Sequence, residues 1–321
     1  MQPNALRQIL KVEYGLQVSE ISPIERGYTN QSFLISAGGE SFVLRCGWVG
    51  KTLAQAQREE RALDWLARHP MKIAVPALVP TASGEPHLRV DGHTLHLQTL
   101  VPGEVLYSWK AQCSETHLGA LMRTLHDLQR ALSPLAIGAT LGPLACFETQ
   151  LAELEVLEST DRICATAPIR ELLDRELSEF LLRARGIIAR AKMHVHFGES
   201  LQWCHGDFQL ENLLFSSEQV VGIVDFDTIR ALPLSMDTAF ALFNLTRDGE
   251  WEDGFRWDRA RWRRGAELYE GQLSSALVDL EWSELFCLDQ ALLHLGAGRR
   301  SIWRVDQGIG FVGAFRRVLA A

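Results

Sequence analysis

Trp203-Cys204-His205-Gly206-Asp207-Phe208-Gln209-Leu210-Glu211-Asn212-Leu213-Leu214-Phe215 is followed by Val220-Val221-Gly222-Ile223-Val224-Asp225-Phe226-Asp227. An aspartate and an asparagine stand five positions apart on one loop. An apolar strand, a short turn and a second apolar strand lead to a further aspartate. Each piece alone has an ordinary explanation, since an aspartate ahead of an apolar run commonly makes a turn or a cap. Together and in this order they match a phosphoryl-transfer site. One carboxylate, Asp207, would orient and deprotonate a hydroxyl. The Asn212 amide and the Asp225 carboxylate are hard oxygen donors of the kind that hold Mg2+ on ATP.

The rest of the chain sets bounds on this reading. At 321 residues it is long enough for two lobes. Arg7, Lys11 and Glu13 interrupt the first sixteen residues, so a signal-peptide core is not expected there. Nor does any stretch reach the length of an uncharged membrane span. The six cysteines, Cys46, Cys113, Cys146, Cys164, Cys204 and Cys287, form no CxxC pair. This favours reduced thiols in a cytoplasmic location over a zinc site. The net charge of −8 argues against a nucleic-acid partner and is compatible with a cationic substrate. Oligomeric state is not legible.

Outward from the central motif, periodicity predicts a helix over 1–17 and strands over 18–25, 32–36 and 41–46. A charged amphipathic helix covers 53–69, and two strands, 87–90 and 95–100, meet at Asp91-Gly92. After Pro102-Gly103 the pattern turns mostly helical: 115–131, 147–157, 168–193, 234–246, 257–277 and 281–298. The expected class is α+β, with a small antiparallel-sheet lobe over 1–101 and a larger, mainly helical lobe over 102–321.

The motif set resembles the aminoglycoside phosphotransferase and choline kinase family, which includes homoserine kinase-like enzymes. The resemblance implies a bilobal protein-kinase-like fold and transfer of the γ-phosphoryl group of ATP to a small-molecule hydroxyl. It implies Asp207 as base, Asn212 and Asp225 as magnesium ligands, His205 as a structural histidine and Asp237 as a second structural aspartate or a helix cap. The loop Arg26-Gly27-Tyr28-Thr29-Asn30 sits where the family covers the phosphates, which brings in Gly27 and Asn30. Gln98, Thr99 and Val101 fall at the adenine hinge. Arg45 occupies the strand position where kinases carry lysine, a non-equivalent exchange. Its expected helix partner is Glu59, with Glu60 as competitor. Gly47-Trp48-Val49-Gly50-Lys51-Thr52 imitates a phosphate loop with wrong glycine spacing. Lys51 is accordingly expected at the surface. His126 is expected as a packed histidine near the cleft.

A protein-kinase reading fails on several points. Gly206 replaces the arginine of HRD, DFD replaces DFG, and only eleven residues separate Asp225 from Asp237. The acceptor is least determined. Asp227, Glu250 and Trp251 are candidates for a cationic amino alcohol, and Arg299, Arg300 and Arg304 for a carboxylate. A homoserine-like acceptor leads, with an aminoglycoside or choline-type amine behind it. The competing class is a nucleotide-binding pseudokinase acting as an interaction module, motivated by Arg45.

Overall fold

The structure is a computed structural model. It describes residues 3–24, 30–47, 51–107, 113–138, 142–160, 181–193, 200–217, 219–248 and 256–269, with 285, 286, 288, 289 and 292. The chain divides into two compact units: Met1–Glu104 with Leu213–Ile229, and Val105–Asn212 with Arg230–Ala321.

The first unit begins with α1 (Pro3–Glu13) and continues through β1 (Val18–Ile24), β2 (Gln31–Ala37), β3 (Glu40–Cys46) and α2 (Leu53–Arg68). Three further strands follow, β4 (Leu78–Val79), β5 (Leu88–Val90) and β6 (His93–Thr99). The antiparallel sheet runs in the order β1-β2-β3-β6-β4, with β5 also on β6. Alternation in β2 turns Phe33, Ile35 and Ala37 inward. These meet Leu6 and Leu10 of α1 and Leu44, Leu95 and Leu97 of the neighbouring strands in one core. Gly38 and Gly39, both at positive φ, close the β2–β3 turn, and Asp91-Gly92 closes β5–β6 in the same way. In α2, Thr52 and Gln55 form a reciprocal capping box. The helix buries Ala56, Ala62, Leu63 and Leu66, and one charged residue in the same stripe, Glu59.

The hairpin of β8 (Leu213–Ser216) and β9 (Gln219–Ile223) belongs to this unit. Backbone bonds tie it down: Phe215 exchanges two with Glu104, and Ala74 bonds both Val221 and Ile223. Gly222 is required here because a Cβ would stand 2.5 Å from Val101 Cγ1.

The second unit contains α3 (Glu115–Leu132), α4 (Pro143–Thr160) and a helix α5 at 181–191. Next come β7 (Leu201–Cys204), β10 (Arg230–Pro233), α6 (Leu234–Thr246) and α7 (Arg259–Leu268). β7 pairs antiparallel with β10. α6 is apolar nearly all round and buried from Ser235 to Thr246, the pattern of a central helix. α3, α6 and α7 pack on one another. Among the described residues, no helix is long and apolar enough to cross a membrane. The predicted helix over 115–131 and that over 234–246 are found, whereas 281–298 lies almost wholly outside the described residues.

Candidate active site

In the first unit, the charged residues of the sequence pattern gather into one charge cluster, buried except at Asp225. Arg45 on β3 donates to Asp225 Oδ1 at 2.6 Å, directly after β9. The expected Arg45–Glu59 bond is absent from the hydrogen bonds of the described residues; Lys51 takes that place. Its ammonium donates to Glu59 Oε2 at 2.7 Å and to Asp227 Oδ1. The Lys51 side chain is only 3% exposed, so the surface position expected for it is wrong. The reason is local. The capping box starts α2 at Leu53 and fixes the lysine just ahead of the cap. The lysine stem passes over Gly47, where a Cβ would meet Lys51 Cδ at 3.0 Å.

Burial alone pulls the Lys51 pKa down, but Asp227 and Glu59 outweigh it and hold the value above the ordinary one. Burial likewise favours the neutral form of Asp227, yet Lys51 and Arg45 keep its pKa below the usual carboxylate range. Asn30 donates to the other Asp227 oxygen at 3.1 Å, and Gln98 donates to Glu59 Oε1 at 3.2 Å. Asp227 was expected to face an acceptor; its carboxylate is instead 4% exposed and bonded to Lys51 and Asn30. Glu60, the competitor for the helix-glutamate role, bonds His96. Thr99 Oγ1 accepts from the Ala77 N–H at 2.9 Å, and Val101 is buried.

Asp225 adopts a left-handed conformation, φ 66° and ψ 63°, unusual for a residue with a side chain. Strain of this kind persists only where the surroundings impose it. Its side chain is 36% exposed, against 10% for Arg45. Two cations, Arg45 and Lys51, thus stand against three carboxylates, Glu59, Asp225 and Asp227. Oxygen donors with a residual negative charge fit a hard divalent cation.

In the second unit, the loop from His205 to Asn212 is fixed from several sides. Gly206 takes φ +76°, and its N–H donates to Asp237 Oδ1 at 3.3 Å. The Asp207 N–H donates to His205 Nδ1 at 3.3 Å, which assigns that nitrogen as acceptor. Gln209 Nε2 and Asn212 Nδ2 donate to Asp207 Oδ2 at 3.0 and 3.2 Å. Asn212 Nδ2 also reaches the Asp207 carbonyl at 2.9 Å.

Asp237 lies inside the first turn of α6, not at its cap, and Gln129 donates to its Oδ2 at 2.8 Å. Tyr269 donates in turn to Gln129 Oε1 at 2.5 Å. Burial raises the Asp237 pKa more than Gln129, His205, Gly206 and Arg230 lower it. Burial also pushes the Tyr269 phenol up to about 12. His126 stacks edge-on against Tyr269 with ring centroids 5.6 Å apart.

Gly27, Glu250, Trp251, Arg299, Arg300 and Arg304 lie outside the described residues. Sequence reasoning missed Gln209, Gln129, Tyr269 and the role of Lys51. For Lys51 a signal existed in the Thr52-x-x-Gln55 capping pattern; Gln129 and Tyr269 carry none, because their partners come from distant elements.

The fold matches APH(2")-IIa in complex with gentamicin, with TM-score 0.66 and 14% identity over 97% of this chain and 96% of that one. The same protein with streptomycin and ATP gives TM-score 0.63 and 13% identity over 100% and 97%. Macrolide 2'-phosphotransferase MphH from Brachybacterium faecium gives 0.61 and 16% over 96% and 97%. Choline kinase from Cryptosporidium parvum Iowa II gives 0.59 and 13% over 99% and 96%. No curated protein sequence matches significantly. The family model described as "Phosphotransferase enzyme family" matches residues 20–270, which contain every residue of both clusters. The chain has the kinase-like phosphotransferase fold and belongs to the phosphotransferase enzyme family.

Proposed function

We propose that the protein is an ATP-dependent kinase that transfers the γ-phosphoryl group to a hydroxyl of a small amine-bearing alcohol. The observation that carries this reading is the Asp207 carboxylate, whose Oδ2 is fixed by the amides of Gln209 and Asn212. A carboxylate aimed by two donors can orient a hydroxyl with little reorganisation. As the hydroxyl oxygen bonds to the γ-phosphorus, the bond from that phosphorus to the bridging oxygen of ADP breaks. The hydroxyl proton passes to Asp207.

Arg45 and Lys51 supply fixed positive charge for the phosphates. Gly27 and Asn30 belong to the loop that covers them. Thr99 has its N–H on the Ala77 carbonyl, so adenine recognition falls to the backbone at Leu100 and Val101, with Gln98 alongside. Asn212 and Asp225 are the residues that would hold magnesium. When bound, the ion neutralises charge on the phosphates. His205 and Asp237 keep the catalytic loop in shape.

The choice of acceptor class is supported by the names of the compared structures: gentamicin, streptomycin, a macrolide phosphotransferase and choline kinase. This ranks an aminoglycoside- or choline-type amine ahead of homoserine. Glu250 and Trp251 are kept as candidate contacts for the ammonium. A reducing, cytoplasmic setting fits the four free cysteines among the described residues. Burial drives the Cys46 thiol up to about 11 and raises Cys113 and Cys204 as well, leaving them unreactive.

The test is ADP release and product mass across a panel of aminoglycosides, choline, ethanolamine, a macrolide and homoserine. The expected result is acceptor-dependent turnover on an amine-bearing alcohol that chelation of magnesium abolishes. Tight nucleotide binding without transfer to any acceptor would instead establish the pseudokinase reading.

A further inference from the structure

Glu60, one residue beyond the glutamate that holds Lys51, does not join the Lys51 network. Its Oε1 lies 2.9 Å from His96 Nε2 and 2.8 Å from His87 Nδ1. The three side chains come from separate places: Glu60 from α2, His96 from β6, and His87 from the residue before β5. One ligand atom from each lies within 4.8 Å of the other two. The site is enclosed, with side-chain exposures of 12% for Glu60, 2% for His96 and 17% for His87.

His87 Nδ1 is buried, and its close polar neighbour is the Glu60 oxygen at 2.8 Å, set off the best hydrogen-bonding direction. A buried ring nitrogen with a poorly aimed partner is one that a bound cation would satisfy better. His96 Nε2 points to the cluster while its other nitrogen, Nδ1, faces Glu59 Oε2 at 3.8 Å.

We propose that His87, His96 and Glu60 bind one divalent transition-metal ion of the zinc class. Two imidazole nitrogens and one carboxylate oxygen suit such an ion better than magnesium or calcium, which prefer all-oxygen shells. Metal bonds of about 2.0–2.1 Å place tetrahedral ligands about 3.3 Å apart. The two Glu60 contacts are about half an ångström shorter than this and the two ring nitrogens lie within 4.8 Å of one another, so the carboxylate withdraws and the imidazoles close on the ion, with a water completing the shell.

The experiment is a titration of chelator-stripped, full-length protein with Co2+ in the absence of nucleotide, followed by visible absorption, then displacement by Zn2+. The expected result is one equivalent of Co2+ with the intense d–d bands of low coordination number and no thiolate charge-transfer band. His87→Ala should bind at least about tenfold more weakly, the loss seen even for changes behind metal ligands. His69→Ala should be unaffected, because His69 stacks on Trp65 instead. Asp225→Asn should also be unaffected, which separates this site from magnesium binding and from the kinase reading. Weak octahedral spectra only, a thiolate band, or equal affinity in His87→Ala would overturn the proposal and leave an ordinary imidazole–carboxylate cluster.

Discussion

Lys51 keeps its proton in a place where desolvation alone would favour the neutral amine. Two carboxylates, Glu59 and Asp227, decide the outcome. Removing the lysine leaves both of them buried with one counter-charge fewer. Lys51→Met should therefore destabilise the protein by about 3–5 kcal/mol, the cost of breaking a buried pair from one side. Chemical denaturation measures it, and a change within the noise of a surface substitution would contradict the buried network. Arg45 behaves differently, because its partner Asp225 is partly open to solvent. The loop shared by Asp207 and Asn212 was legible because residue type and spacing carry it. The partnership of Lys51 was not, since a lysine beside a glycine turn looks the same in sequence whether it is solvated or enclosed. Gln129 was equally silent: its amide matters only because Asp237 and Tyr269 arrive from other elements.

At the scale of elements, short motifs with strict local rules were readable. The Asp91-Gly92 turn and the apolar stripe of α2 each follow from backbone conformation or periodicity. The two-residue strand β4 has too few positions for any period, and only its register against Gln98 and Leu97 defines it. Gly222 shows how tightly the β8–β9 hairpin is packed. Beyond the 2.5 Å contact with Val101, a Cβ would meet Leu214 Cβ at 3.3 Å. Gly222→Ala should cost about 1–3 kcal/mol through overpacking. A thermal or urea melt checks this; an unchanged midpoint would mean the hairpin gives way freely. Thr52→Ala, which removes the α2 cap, should cost about 1 kcal/mol by the same measurement.

For the whole molecule, the ionic network ties stability to pH with a defined sign. Asp227 titrates below its ordinary value of 3.8 in the folded state. Its contribution is complete above that value and is lost as pH falls through the lower folded pKa. Lys51 titrates above its ordinary 10.5, so its contribution is complete below 10.5 and is lost as pH rises through the higher folded pKa. The pair is thus intact between these limits. Asp227→Asn should be less stable than the parent at neutral pH, and the gap should close on acidification below 3.8, as parallel denaturation curves would show. A gap that widens toward acid would reverse the assigned sign.

Proton transfer from the acceptor hydroxyl to Asp207 is the central step of the proposed reaction. Its most direct test is the single-turnover rate of γ-phosphoryl transfer by Asp207→Asn at saturating nucleotide and acceptor. The expected rate is about 10²–10⁴-fold below the parent, the usual contribution of a positioned acid or base, with nucleotide affinity little changed. An Asp207→Asn variant that transfers phosphate at the parental rate would contradict it.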